Sequence, residues 1–108
     1  GVQSLNELDF ARRCRVEGLP EPDRQAVLRR PGGSYYLDVR WSRWRVTVEI
    51  DGVGHLEVTR WLADNLRHNE IATAGDIVLR VPSVGLRLDP TPYLDSVRRA
   101  LKTNGCPL

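Results

Sequence analysis

Apolar residues recur along this chain with two different periods, and the switches between them mark out its elements. Leu5, Leu8, Ala11 and Cys14 stand at helical intervals. Ser4 with Glu7 three residues on has capping-box spacing, and Gly18, Pro20 and Pro22 end the run. Residues 25–29, 35–40 and 45–50 then alternate as strands do, with Pro31-Gly32-Gly33-Ser34 as the turn between the first two. In the third strand Val46, Val48 and Ile50 face one way while Arg45, Thr47 and Glu49 face the other. Residues 57–73 predict the longest helix, with Val58, Leu62 and Leu66 on one side and Gly75 as its stop. An apolar strand over 77–81 ends at Pro82, and 84–88 reads as a short extended piece. Asp89-Pro90 opens a last helix that carries Leu94, Val97 and Leu101 inward.

The order α-β-β-β-α-β-(β)-α predicts an α/β fold. A three-strand meander followed by a helical crossover to another strand implies a mixed sheet with helices on both faces. The chain has 108 residues, enough for one domain with a single modest core. Neither an internal repeat nor a dividing linker interrupts it, so 1–108 reads as one unit. Hydrophobic and charged fractions of 41% and 28% belong to a folded chain and argue against disorder. No run approaches the roughly 20 apolar residues of a membrane helix, and no signal-peptide pattern opens the sequence. Met is absent, so the sequence reads as a domain from something longer. Cys14 and Cys106 have no metal-type spacing, which predicts a reduced, cytoplasmic protein with Cys14 in the core.

The net charge of +2 is too small to imply a nucleic-acid partner by itself. Of the 16 basic residues only Lys102 is a lysine, and a GC-rich genome accounts for that bias without any functional meaning. Arginine does grip phosphate bidentately, so the bias is compatible with a DNA surface. Arg40, Arg43 and Arg67 are the candidates for such contacts.

The chemistry concentrates between Asp38 and His55. Glu49 and Asp51 are two apart on a strand and share a face. Carboxylates that close repel each other unless a cation or a proton sits between them. With Asp38 from the neighbouring strand they form a cup for a hard divalent ion, and His55 stands at its mouth. Plain alternatives exist for each residue. Asp38 could lie on an edge strand and pair with Arg40 or Arg45, and Asp51-Gly52 could be a turn alone. His55 could cap the long helix, Asp64 and Arg67 could form a solvated intrahelical pair, and Glu7 could be only the capping acid. His68 reads as an exposed helix residue. Mg²⁺ or Mn²⁺ suits the oxygen ligands, whereas Zn²⁺ does not, since the cysteines are remote. Nucleotide-binding glycine loops are absent.

Ser4-Leu5-Asn6-Glu7, Gly18-Leu19-Pro20-Glu21-Pro22, Leu37-Asp38-Val39-Arg40-Trp41, Val48-Glu49-Ile50-Asp51-Gly52, His55, Asp64-Asn65-Leu66-Arg67 and Val78-Leu79-Arg80 follow one another in a familiar order. In this order they resemble a small bacterial domain family of unknown function. That family is related to very-short-patch-repair endonucleases and has the PD-(D/E)XK, restriction-endonuclease-like fold. The resemblance covers nearly the whole chain. It implies a Mg²⁺-dependent phosphodiesterase core, with Asp38 as the first metal-binding acid, Glu49 as the second and Glu7 near the site. It also implies a fused N-terminal winged-helix module resembling abortive-infection antitoxins. One departure stands out: the wider superfamily has a lysine two residues after the second acid, and here that residue is Asp51. His55 as base and Arg67 as the positive charge are the expected substitutes. The patch-repair enzymes' structural zinc site has no counterpart in this sequence.

Two functions follow. The first is a divalent-metal-dependent DNA endonuclease or nickase, with RNA as a weaker substrate choice. The second is a catalytically inactive nuclease-fold module that binds nucleic acid or a partner protein.

Overall fold

A computed structural model describes residues 7–29, 35–51, 66 and 68–108. Helix α1 spans Glu7–Val16 and buries Phe10 and Cys14, one turn apart, completely. It ends in a Schellman turn. The amide of Leu19 donates to the Cys14 carbonyl at 2.9 Å and that of Gly18 to Arg15 at 3.1 Å, with Gly18 at φ 73°.

Strands β1 (Arg24–Arg29), β2 (Tyr35–Trp41) and β3 (Val46–Asp51) form an antiparallel meander. A 3-10 turn over Ser42–Trp44 links the last two. Residues 68–73 are helical (α2), and β4 (Ile77–Pro82) then lies parallel to β3, giving the order β1-β2-β3-β4. Asp38 therefore lies on an inner strand, not at an edge. The parallel pairing requires a crossover between β3 and β4, as the sequence implied. Residues 57–65 of the expected long helix lie outside the described residues.

Alternation decides which face becomes the core. Leu37, Val39, Trp41, Val46, Val48 and Ile50 are all essentially buried on one face, against Phe10 and Cys14 of α1. Helix α4 (Thr91–Thr103) adds Leu94, Val97 and Leu101 to the same cluster. Each such side chain contributes about 1.5–3 kcal/mol of burial free energy. Phe10 meets Trp41 edge-on with centroids 6.2 Å apart, and the Trp41 indole N–H donates to the Pro20 carbonyl at 2.8 Å. That hydrogen bond satisfies the one polar atom of a fully buried ring.

The segment 84–88 is not extended. Ser83–Leu88 forms a short helix, α3, with Leu86 buried and Val84 and Leu88 exposed. The apolar alternation of Val84, Leu86 and Leu88 mimics a strand, but only Leu86 meets the core. Pro82, at φ −71° and ψ 135°, both closes β4 and starts the helix, a position that proline's missing N–H suits. Helix α4 begins at Thr91, with Pro90 as its cap, so the Asp89-Pro90 signal was one residue early.

Candidate active site on the polar face of the sheet

The second face of the sheet carries the charge. Asp38 and Glu49 are direct partners across the β2–β3 pair, so both carboxylates rise from the same face, where directly opposed side chains are neighbours. The next pair along that face is Arg40 and Thr47. On the other side of Glu49, across the parallel β3–β4 pair, stands Arg80.

Glu49 is buried, with 4% of its surface exposed, although its face is the polar one. Two basic side chains stand beside it. Arg80 Nε lies 3.5 Å from Glu49 Oε2, and His68 Nδ1 of α2 lies 3.8 Å from Oε1. His68 is thus a half-buried neighbour of the second acid, not a solvated helix residue as the sequence suggested. Asp38 is half-buried beside Glu49, and Asp51, also half-buried, ends β3 two residues further on.

A second network occupies the opposite end of the face. Arg40 donates from Nε to Asp76 Oδ2 at 2.7 Å and from Nη2 to Oδ1 at 2.9 Å. Thr47 Oγ1 adds a 2.8 Å bond to Oδ2, and Arg45 Nε stands 4.0 Å from Oδ1. The Arg40 hydrogen bonds, then that of Thr47 and the Arg40 and Arg45 charges, hold the Asp76 carboxyl below its ordinary range against the opposing effect of burial. Asp23, which accepts the Ser42 amide at 2.6 Å, is lowered by its bonds to Ser42. Between this network and the C-terminal end of α2 lies a cavity of about 790 Å³, bordered by Arg24, Asp38, Arg40, Thr47, Glu70 and Asp76.

Of the expected site residues, Asp38, Glu49 and Asp51 come together on one face. Arg40 is held by Asp76 through two hydrogen bonds, with a third of its side chain exposed. Arg43 is exposed in the 3-10 turn, its guanidinium 5.4 Å from the centre of the Trp44 ring, beyond the end of β2 away from Asp51. Glu7 is the first residue of α1, and its side chain lies outside what is described. His55 and Arg67 lie outside the described residues. Sequence reasoning missed Asp76, Thr47, Arg80 and His68. For Arg80 a signal was present, since a lone charge inside the apolar 77–81 run parallels Glu49 in β3. Asp76 gave none, because an acid after Gly75 reads as an ordinary turn residue.

The donor set bears on a metal. Among the described residues no group of three or more His, Cys, Asp or Glu side chains could hold an ion. Asp38 and Glu49 offer two carboxylates, a complement that fits Mg²⁺, which commonly takes only one or two from protein and fills its shell with water and phosphate. It does not fit Zn²⁺, and Cys14 and Cys106 are buried free thiols. Among the described residues no helix is long and apolar enough to cross a membrane. No protein-family model, curated protein or solved structure matches the chain.

Proposed function

We propose that this chain is a restriction-endonuclease-like domain that hydrolyses phosphodiester bonds in DNA with the help of a divalent cation. The observation that carries the reading is the Asp38–Glu49 pair, two opposed carboxylates on the polar face of a mixed sheet. The antiparallel meander with a parallel fourth strand is the mixed sheet that the order of elements implied, and the reading adds to it the resemblance to patch-repair endonucleases. Asp38 and Glu49 are the residues to hold Mg²⁺ or Mn²⁺. Such an ion, when bound, lowers the pKa of water and offsets the charge that builds on phosphate.

The chain's own part is to place the phosphodiester over this face. A water oxygen bonds to phosphorus while the bond from phosphorus to one sugar oxygen breaks. The leaving oxygen takes up a proton and the attacking water gives one up, so a phosphate monoester and a hydroxyl result. His55 is the proton acceptor we assign from the sequence. A cytoplasmic setting accords with the two buried free thiols.

A second reading, a nuclease-fold binding module without catalysis, draws on Arg80 and His68 beside Glu49 and on Asp51 at the superfamily's lysine position. Plasmid nicking with Mg²⁺ or Mn²⁺ separates the two, combined with calorimetry of Mn²⁺ binding. Metal binding and nicking that both vanish in Asp38→Asn uphold catalysis. DNA binding without either upholds the module, and a panel of DNA and RNA substrates assigns the nucleic acid.

A further inference from the structure

Residues 96–108 hold Arg98, Arg99 and Lys102 and no acid, and residues 42–45 hold Arg43 and Arg45 and none. The fold brings these two stretches together. Asn104, the residue after α4, donates from Nδ2 to the Trp44 carbonyl at 2.7 Å, and the Arg43 charge is felt at buried Cys106. Arg98 donates to the Glu17 carbonyl. The second half of α4 therefore reaches both the end of α1 and the 3-10 turn.

Orientation follows from the helical period. Leu94, Val97 and Leu101 face the core, which turns Arg99 and Lys102 to solvent and leaves Arg98 half-buried on the flank. Arg98 and Lys102 are one turn apart on one side of the helix, with Arg99 beside them. Arg43 is exposed, its guanidinium over the Trp44 ring. Among the described residues Arg43, Arg99 and Lys102 form no ion pair, and Arg99 bonds the Ser96 hydroxyl at 3.3 Å. Asp95, one turn nearer the start, is the single acid of α4. The helix dipole accounts for cations near a C-terminus, where partial negative charge collects. It does not account for Arg43, which lies on another element across the Asn104 contact.

We propose that Arg43, Arg98, Arg99 and Lys102 form a docking surface for the phosphate backbone of a nucleic acid, apart from the Asp38–Glu49 face. Duplex DNA carries one negative charge per about 1.7 Å of its axis, so a patch one helical turn across meets several phosphates. Three of the four cations are arginines, whose planar guanidinium matches phosphate bidentately. A lipid surface fits less well, because it asks for apolar side chains among the cations. The solvent side of α4 from Asp95 to Thr103 has none, since Val97, Ala100 and Leu101 are all buried. This surface needs no metal and does not rest on the endonuclease reading.

The test uses the full chain in EDTA, with Arg99→Gln, Lys102→Gln and the triple variant that adds Arg43→Gln to both. Fluorescence anisotropy of a short DNA duplex over a salt series gives affinity and salt slope. Phosphate contacts predict that each single change weakens binding several-fold and lowers the slope by about one. The triple variant should lose about tenfold or more at low salt, and two duplexes of different sequence should bind the parent alike. A role confined to the helix dipole predicts lower melting temperatures with affinity and slope unchanged, which would overturn the proposal. A parent chain that binds no duplex at low salt would overturn it too, as would one that binds phosphatidylglycerol vesicles and is not displaced by the duplex. Should the triple variant fold poorly, the single changes give the same readings. Nicking is measured separately with Mn²⁺: a parent that binds duplex through these residues but never nicks removes catalysis and upholds this surface.

Discussion

Arg40 on β2 grips Asp76, the residue just before β4, with two near-parallel hydrogen bonds of 2.7 and 2.9 Å. The pair spans β3 between them, and Thr47 of β3 joins the same carboxylate. One buried acid thus ties three strands together at the end of the polar face nearest the cavity. Removing the acid by Asp76→Ala leaves Arg40 a third exposed and able to regain water, so the cost is about 2 kcal/mol. Arg40→Ala instead leaves a carboxylate only 4% exposed with Thr47 and the more distant Arg45 as its partners, for which about 3 kcal/mol is expected. Urea unfolding of the two variants checks the order: Arg40→Ala is the less stable.

The same pair sets an acid limit. Asp76 titrates below 3.8 in the folded chain, chiefly because Arg40 bonds to its charged form. A group whose folded pKa is depressed stabilises fully above its unfolded value and loses that contribution as the pH falls through the folded one. Stability from this pair should therefore hold from neutral pH down to about pH 5 and then decline below about pH 4. Urea midpoints measured across that range will fall more steeply for the parent chain than for Asp76→Asn, which has no charge to lose. Asp23 shifts the same way but is exposed and adds little.

Much of this architecture was legible because the local rules agree with one another. Strand alternation in residues 45–50 assigned Val46, Val48 and Ile50 to the core and Thr47 and Glu49 to the other face, and the structure has them so. Gly18 and Gly75 stop their helices where the sequence placed the stops. Failure came where a pattern was too short to distinguish periods, as in Ser83–Leu88, whose three apolar residues fit either a strand or a helix turn. The acid pair was readable from Asp38 and Glu49 because a charge inside an apolar strand is conspicuous. Its surroundings were not, since the partnerships of Glu49 with Arg80 and His68 and of Arg40 with Asp76 depend on which strand pairs with β3. No local pattern encodes that choice.

Gly75 shows how a backbone conformation can be tested. It sits at φ +100°, and its amide donates to the Ala72 carbonyl at 3.0 Å to close α2. A Cβ there would also overlap the Arg45 guanidinium. The Arg45 side chain is more than half exposed and can move aside at the loss of its bond to the Ala74 carbonyl, so the larger cost is the left-handed backbone, about 1–2 kcal/mol for an L side chain. Thermal melting of Gly75→Ala should show that loss. Gly75→Asn, whose side chain tolerates the conformation better, should lose less.

Cys14 makes a separate, chemical prediction. Burial pushes its thiol up to about 12 from 9.0, with Glu21 adding to the rise and Arg15 opposing it, and burial raises Cys106 in the same direction. Thiolate is the reactive form, so both should resist a maleimide in the folded chain at about pH 8 and react on unfolding. A thiol with a raised folded pKa stabilises fully below 9.0 and loses that contribution as the pH climbs toward about 12. Rapid labelling of Cys14 in the native protein at neutral pH would contradict its placement in the core.

The acid pair can be tested for metal without relying on turnover. Glu49 is buried beside Arg80 and His68, so Glu49→Ala would open a gap as well as remove a charge, and Glu49→Gln is the cleaner choice. An isosteric amide sheds the desolvation cost of the carboxylate while losing its ion pairs, two effects that largely cancel, so stability should change by about 1 kcal/mol or less. Asp38→Asn should behave alike. An ion held by both carboxylates binds the folded state only, and at about 100 times its dissociation constant it stabilises by about 2.7 kcal/mol. For a domain of this size that is a rise in melting temperature of about 10 °C or more. The parent chain should show that rise on adding Mn²⁺, and neither amide variant should. Equal rises in all three would place the ion elsewhere on the molecule, and none in the parent would leave the polar face as a binding surface without a metal.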